Sequence, residues 1–172
     1  MGMKKSFDKN IVFIGMPGSG KSTIGSIVAE MLDMPFIDID DYIEEREEKS
    51  INQIFKQGEE HFRDIETSAI KEVCKRSYPN AVVISTGGGA VKRPENMEAL
   101  KENSIIIFLN RSVNKIIGDI DIQKRPLLAE GEERLYKLYE ERYPLYNMYS
   151  DIKIDNDFCI GDAIDEIMSI LK

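Results

Sequence analysis

Ile11-Val12-Phe13-Ile14 runs directly into Gly15-Met16-Pro17-Gly18-Ser19-Gly20-Lys21-Ser22. A short β-branched and aromatic run that stops at a glycine predicts a buried strand. Ile24, Ile27, Val28 and Met31 then recur at helical spacing, so a helix follows. Strand, loop and helix together are the context in which GxxxxGK(S/T) acts as a phosphate loop. Gly15, Gly18 and Gly20 let the backbone curl until its N–H groups point inward around phosphate oxygens. The helix start adds a positive dipole end. Lys21 is placed to bridge β- and γ-phosphates, and Ser22 to offer a hydroxyl to Mg²⁺. A nucleoside triphosphate is therefore the first expected ligand.

Working outward, apolar runs alternate with amphipathic stretches. Pro35 to Ile39 reads as a second strand, Ala81 to Ser85 as a third, Ser104 to Leu109 as a fourth and Asp151 to Ile154 as a fifth. Between them, helical patterns run from the N-cap candidate Ser50 to about Ser77 with an interruption near Gly58. Others run from Pro94 to about Asn103, Ser112 to Ile117, Glu132 to Tyr143 and Ile160 to Leu171. Strands alternating with helices predict an α/β fold on a parallel sheet. Ile105 to Leu109 is apolar at every residue, as expected of a strand covered on both faces. Ligands of such sheets bind beyond the carboxyl ends of the strands. There, the first three strands deliver Gly15–Ser22, Asp38–Asp41 and Thr86–Gly89.

The 172 residues predict a single domain. With 23 Lys and Arg against 31 Asp and Glu, the formal net charge is −8. That balance excludes a general nucleic-acid binder and disfavours adhesion to anionic membranes. No stretch reaches the roughly 20 apolar residues that span a bilayer. Basic residues near the N-terminus are not followed by an apolar segment, so no secretory leader is expected. Cys74 and Cys159 make neither a disulfide framework nor a metal site. Free thiols point to the cytoplasm.

Asp38-Ile39-Asp40 is expected to place two carboxylates on one side of a strand end. One could hold Mg²⁺ or its waters; the other could orient and deprotonate an attacking hydroxyl. The alternative is a solvated turn in which Asp40 or Asp41 caps the next helix. Arg142 lies on a helical stripe with Leu135, Leu138 and Tyr139. An arginine there must snorkel, pair with a carboxylate or meet an anionic ligand. Arg63 follows Gly58 in another helical stretch, and Arg125 sits in a polar stretch, Asp119 to Glu130. A loop carrying a basic residue suits a phosphate-closing lid or is merely an exposed connection. Gly87-Gly88-Gly89 permits close backbone approach or makes a strand-to-helix turn. The tyrosines at 136, 139, 143, 146 and 149 read as packing. His61, the sole histidine, sits among Glu59, Glu60 and Asp64 and reads as a surface residue with no second metal ligand at a recognised spacing.

Gly15–Ser22, Asp38-Ile39-Asp40, Phe62-Arg63, Thr86–Gly89, Arg125-Pro126-Leu127-Leu128 and Arg142-Tyr143-Pro144-Leu145-Tyr146 follow one another in this chain. In that order and spacing they resemble the shikimate kinases, over about Ile11 to Ile154. The resemblance implies a three-layer, nucleoside-monophosphate-kinase-like fold with a five-stranded parallel sheet in the order 2-3-1-4-5. It also implies substrate-binding helices at about 40–75 and a lid at about 119–131. The implied reaction is ATP-dependent phosphorylation of the 3-hydroxyl of shikimate, a step of aromatic amino acid biosynthesis. By the same resemblance, Gly18, Ser19, Gly20, Lys21, Ser22, Thr23 and Arg125 bind ATP. Asp40, Arg63, Gly87, Gly88, Gly89 and Arg142 bind shikimate, and Ser22 and Asp38 serve Mg²⁺. Lys21, Asp40 and Arg125 carry the chemistry, in a monomer with no nucleic-acid or membrane partner. One departure stands out. Relatives often carry an adenine-stacking arginine seven residues before the lid arginine, and here that position is Gly118. Some carry a proline near the last strand, and none stands between Asp155 and Gly161.

Overall fold

A computed structural model describes residues 7–119 and 131–172. Five strands form one parallel sheet: β1 (Asn10–Ile14), β2 (Phe36–Asp38), β3 (Val83–Ser85), β4 (Ser104–Asn110) and β5 (Ile152–Asp155). Their order is β2-β3-β1-β4-β5, the order the resemblance implies. Register aligns Ile11 with Val83, Asp38 with Ser85, Ile14 with Phe108 and Asn110 with Asp155. The carboxyl ends of the strands therefore share one rim.

Eight α-helices accompany the strands among the described residues: α1 (Lys21–Leu32), α2 (Ile39–Glu47), α3 (Ile51–Phe55), α4 (Glu59–Lys75), α5 (Pro94–Lys101), α6 (Val113–Asp119), α7 (Glu132–Tyr149) and α8 (Ile160–Leu171). A short 3₁₀ turn, Ala90–Lys92, leads into α5. Alternation along β1 sends Val12 and Ile14 into one core, with α2 to α5 and α7. Ile11 and Phe13 enter the other, with α1 and α8. Both faces of the sheet are thus covered, which accounts for the unbroken apolar run in β4.

Ser50 caps α3 as expected, in a reciprocal box with Gln53. Three elements depart from the sequence reading. The helix α2 begins immediately after β2, where the reading carried strand geometry on to Ile39. The 3₁₀ turn was not anticipated. And α7 continues six residues past Tyr143, through Pro144. A proline inside a helix costs about 3 kcal/mol; burial of Leu135, Leu138 and Tyr146 on one face of α7 offsets it.

Candidate active site

One cavity of about 770 Å³ opens on the carboxyl rim of the sheet. Gly18, Gly20, Lys21, Ser22 and Thr23 form its middle. Asp38, Asp40, Arg63, Glu66, Gly87–Gly89 and Arg142 line one end, and Arg111, Asp119, Asn156, Phe158 and Ile160 the other. Arg125 and residues 120–130 of the expected lid lie outside the described residues.

The phosphate loop is built as its glycines require. Gly20, the residue before α1, has φ +98°, a left-handed conformation open to glycine at little cost. A Cβ on Gly15 would stand 2.4 Å from the Leu109 carbonyl oxygen. The Lys21 Nζ donates to the carbonyls of Gly15 at 2.9 Å and Met16 at 2.8 Å. The Ser22 hydroxyl donates to the Asp38 carboxylate. Ser19 differs from its neighbours. Its side chain is buried, its N–H donates to Met16 at 3.1 Å, and it is not part of the cavity wall.

The acidic pair reaches the cavity by a route other than strand alternation. β2 ends at Asp38, and Asp40 belongs to the first turn of α2. Asp38 itself caps that helix, accepting from the N–H groups of Asp40 at 2.9 Å and Asp41 at 3.2 Å. An aspartate does cap this helix, but it is Asp38 and not Asp40 or Asp41, and the Asp38 carboxylate also lines the cavity. Burial, with repulsion from Asp38 and Glu44, raises the Asp41 pKa above its ordinary value.

The two arginines are held differently. Arg63 is buried on α4 and donates to the Glu66 carboxylate, itself fully buried, at 2.8 Å. Glu59 approaches from the other side at 3.4 Å and also accepts from Lys92 at 3.0 Å. Burial pushes the Glu59 pKa up, but Lys92 and Arg63 prevail and hold it below its usual value. Arg142 is 1% exposed. None of its three guanidinium nitrogens has a hydrogen-bond partner among the described residues. It neither snorkels nor pairs with a carboxylate there. The neighbouring Tyr146 hydroxyl donates to the Gly88 carbonyl at 2.6 Å. Burial pushes that hydroxyl up to about 12, with the Arg142 charge pulling the other way.

Each glycine of 87–89 faces a different wall of the site. A Cβ on Gly87 would meet Glu66 at 2.8 Å and Asp40 at 3.1 Å. On Gly88 it would meet Pro17 at 2.6 Å, and on Gly89 the Arg63 guanidinium at 2.2 Å. These are glycines for lack of room.

Sequence reasoning missed Glu66, Arg111, Asn156 and Phe158. Glu66 had a signal, its i+3 spacing from Arg63 on one helix face. Arg111 and Asn156 each follow the last residue of a strand, where the rim rule directs attention. Arg111 donates to the Gly18 carbonyl at 3.1 Å and pairs with Asp119. Asn156 donates to the Ser19 carbonyl at 2.9 Å. Together they hold two loop carbonyls from the β4–β5 side.

The family model described as shikimate kinase matches residues 17–172. The chain belongs to the shikimate kinase family. The shikimate kinase of Clostridium beijerinckii is 51% identical over 161 residues, 94% of each chain. The solved shikimate kinase from Acinetobacter baumannii in complex with shikimate superposes with TM-score 0.90 at 32% identity, covering 96% of this chain and 94% of that one. A gluconokinase from Sinorhizobium meliloti superposes at TM-score 0.64 with 20% identity, a likeness of fold alone. Membership in the shikimate kinase family accounts for the sheet order and for the coexistence of a phosphate loop with buried arginines in one cavity.

Proposed function

We infer that this chain transfers the γ-phosphoryl group of ATP to the 3-hydroxyl of shikimate, giving shikimate 3-phosphate and ADP in aromatic amino acid biosynthesis. The observation that carries this reading is Arg142, a buried cation beside the Tyr146 hydroxyl that pairs with no carboxylate among the described residues and shares a cavity with a phosphate loop. A buried charge of this kind calls for a counterion, and a planar guanidinium suits a carboxylate.

In this reading Arg142 supplies the charge that the shikimate carboxylate neutralises, and Arg63 adds directed N–H groups while Glu66 fixes its plane. Gly87 to Gly89 bring backbone close to the ring, and Asp40 orients the attacking hydroxyl and takes its proton. Phosphoryl transfer asks mainly for positioning and charge stabilisation, which Lys21 and the N–H groups at Gly18, Gly20, Ser22 and Thr23 provide. Arg125, on a lid at 119–131, meets the transferred phosphate, and residues 40–75 form the substrate-binding region of a single domain.

Mg²⁺ fits the donors present. Ser22 and Asp38 offer hard oxygens in mutual contact at the start of α1. Among the described residues no group of three or more acidic, histidine or cysteine side chains forms a cage. Mg²⁺ does not need one, since it keeps waters and takes one or two carboxylates beside the phosphates. When bound it offsets charge on the β- and γ-phosphates. The enzyme is proposed to be a cytoplasmic monomer acting on small molecules alone. No helix of the described residues is long and apolar enough to cross a membrane.

ADP release measured with Mg²⁺-ATP, with and without shikimate, tests this reading. A large shikimate-dependent rise is expected. Phosphorylation of gluconate but not shikimate, or tight shikimate binding without turnover, would overturn it.

A further inference from the structure

One buried hydroxyl joins three walls of the site. Tyr146 stands four residues after Arg142 on α7, a spacing that puts both on one helix face. It is fully buried, with its ring 5.0 Å from that of Phe108 on β4. Its oxygen lies 2.6 Å from the Gly88 carbonyl and 3.8 Å from the Met16 sulfur in the phosphate loop. A hydroxyl has one proton to give, and a thioether is a weak acceptor, so the proton goes to Gly88. Packing calls for the ring alone, because phenylalanine would fill the same space, and burying a hydroxyl costs free energy unless it is hydrogen-bonded.

The Gly88 carbonyl is where that hydroxyl is needed. Three successive glycines have no side chains to fix their peptide planes. Within the turn, the Ala90 N–H holds the Gly87 carbonyl at 3.1 Å and the Lys92 N–H holds that of Gly89 at 3.0 Å. The carbonyl between them is held from α7, by Tyr146. A trans peptide sets its C=O and N–H in opposite directions, so the same hydroxyl also fixes where the Gly89 N–H points. Beside it stands Arg142, whose charge pulls the hydroxyl pKa down while burial pushes it up to about 12. The hydroxyl therefore stays neutral near pH 7. A neutral group can steady a guanidinium without spending its charge, as Glu66 spends that of Arg63.

We propose, resting on the phosphoryl-transfer reading of this cavity, that Tyr146 is a positioning residue for the acceptor. Its hydroxyl locks the Gly88–Gly89 peptide and steadies the Arg142 guanidinium, so that a carboxylate meets both already aligned. Tyr146 is not part of the cavity wall. It acts through Gly88 and Arg142, so its loss weakens acceptor binding and leaves the transfer step intact.

Tyr146→Phe removes the oxygen and keeps the ring against Phe108. The KM for shikimate is expected to rise about tenfold, as for one buried hydrogen bond lost, with kcat and the KM for ATP near wild type. A merely structural hydroxyl would lower Tm without that split between KM and kcat. Added to Arg142→Met, the same substitution should lower kcat/KM for shikimate by a smaller factor than it does alone, since both changes act on one carboxylate. An unchanged KM for shikimate in Tyr146→Phe, an equal rise in the KM for ATP, or full additivity with Arg142→Met would overturn the proposal while shikimate-dependent turnover persists. Failure of the phosphoryl-transfer reading looks different: no shikimate-dependent ADP release from the wild type, whatever the variants do.

Discussion

Replacing Arg142 with methionine should make the unliganded protein more stable and the enzyme worse. Methionine keeps an unbranched apolar stem and suits a helix, so the packing of the stem within α7 is largely retained. What is lost is a guanidinium 1% exposed whose three nitrogens lack hydrogen-bond partners among the described residues. A buried polar group left unsatisfied costs about 1–3 kcal/mol, and a charged one more. Removing it should therefore recover at least about 1–3 kcal/mol. For a chain of this length that raises Tm by about 2–12 °C. Binding moves the other way. Truncating one partner of a buried, hydrogen-bonded charge pair costs about 2–5 kcal/mol. The KM for shikimate should thus rise by a factor of about thirty to several thousand, with the KM for ATP little changed. Thermal melting of the ligand-free protein and steady-state ADP release at varied shikimate measure the two halves. A Tm below that of the wild type would refute the reasoning, because Arg142 would then be an internal structural partner. So would an unchanged KM for shikimate.

Four further outcomes are expected. Asp40→Asn should lower kcat by about 10²–10⁴ with nucleotide binding retained, as equilibrium ATP titration beside kinetics would report. Gly89→Ala should drop kcat/KM for shikimate about a hundredfold. Its Cβ would stand 2.2 Å from Nη2 of Arg63, whose guanidinium is held through Nη1 by Glu66 and through Nη2 by Glu59. Glu66→Gln should lower Tm, opposite in sign to Arg142→Met, since it weakens the counterion of a buried cation by about 1–3 kcal/mol; melting curves of the two variants test the contrast. Burial, with Glu102 adding to it, pushes the Cys74 thiol up to about 11. The unfolded chain ionises there from about 9, so this group's stabilisation is full below that pH and lost as pH rises towards 11. The urea-midpoint difference between the wild type and Cys74→Ala should change across that window and be flat below it.

What the sequence made legible is what the chain encodes locally. The phosphate loop is one contiguous run whose glycines, lysine and serine have a single joint use. The apolar run of β4 announces a sheet covered on both sides, and Ser50 with Gln53 announces a helix start. The carboxylates of Asp38 and Asp40 were legible as a pair but not in their geometry. Strand periodicity was extended one residue too far, into what became the start of α2. Pro144 reads locally as a helix stop, and only burial of one face of α7 in the core carries the helix past it. Glycines 87 to 89 read as freedom of the backbone. Their actual constraint is crowding by Glu66, Asp40, Pro17 and Arg63, four residues distant in sequence that no local pattern brings together. Phe158 carried no sequence signal, because exposure is a property of the assembled fold.

The charge balance at the acceptor end follows from that same tertiary assembly. Two arginines point to one region, yet they do not contribute two free charges. Arg63 is already met by Glu66 at 2.8 Å and by Glu59 at 3.4 Å, so it offers direction more than charge. Its Nε, without a hydrogen-bond partner among the described residues, is the kind of donor that can still be used. Arg142 carries the charge that the described residues leave uncompensated. One buried positive charge is neutralised by one carboxylate, and a second would be desolvated without a counterion, at a cost of several kcal/mol. In the proposed function, the pairing of one arginine and the isolation of the other would suit the site to a monocarboxylate. A motif with two arginines cannot convey that distinction, because Glu66 decides it from the next turn of α4.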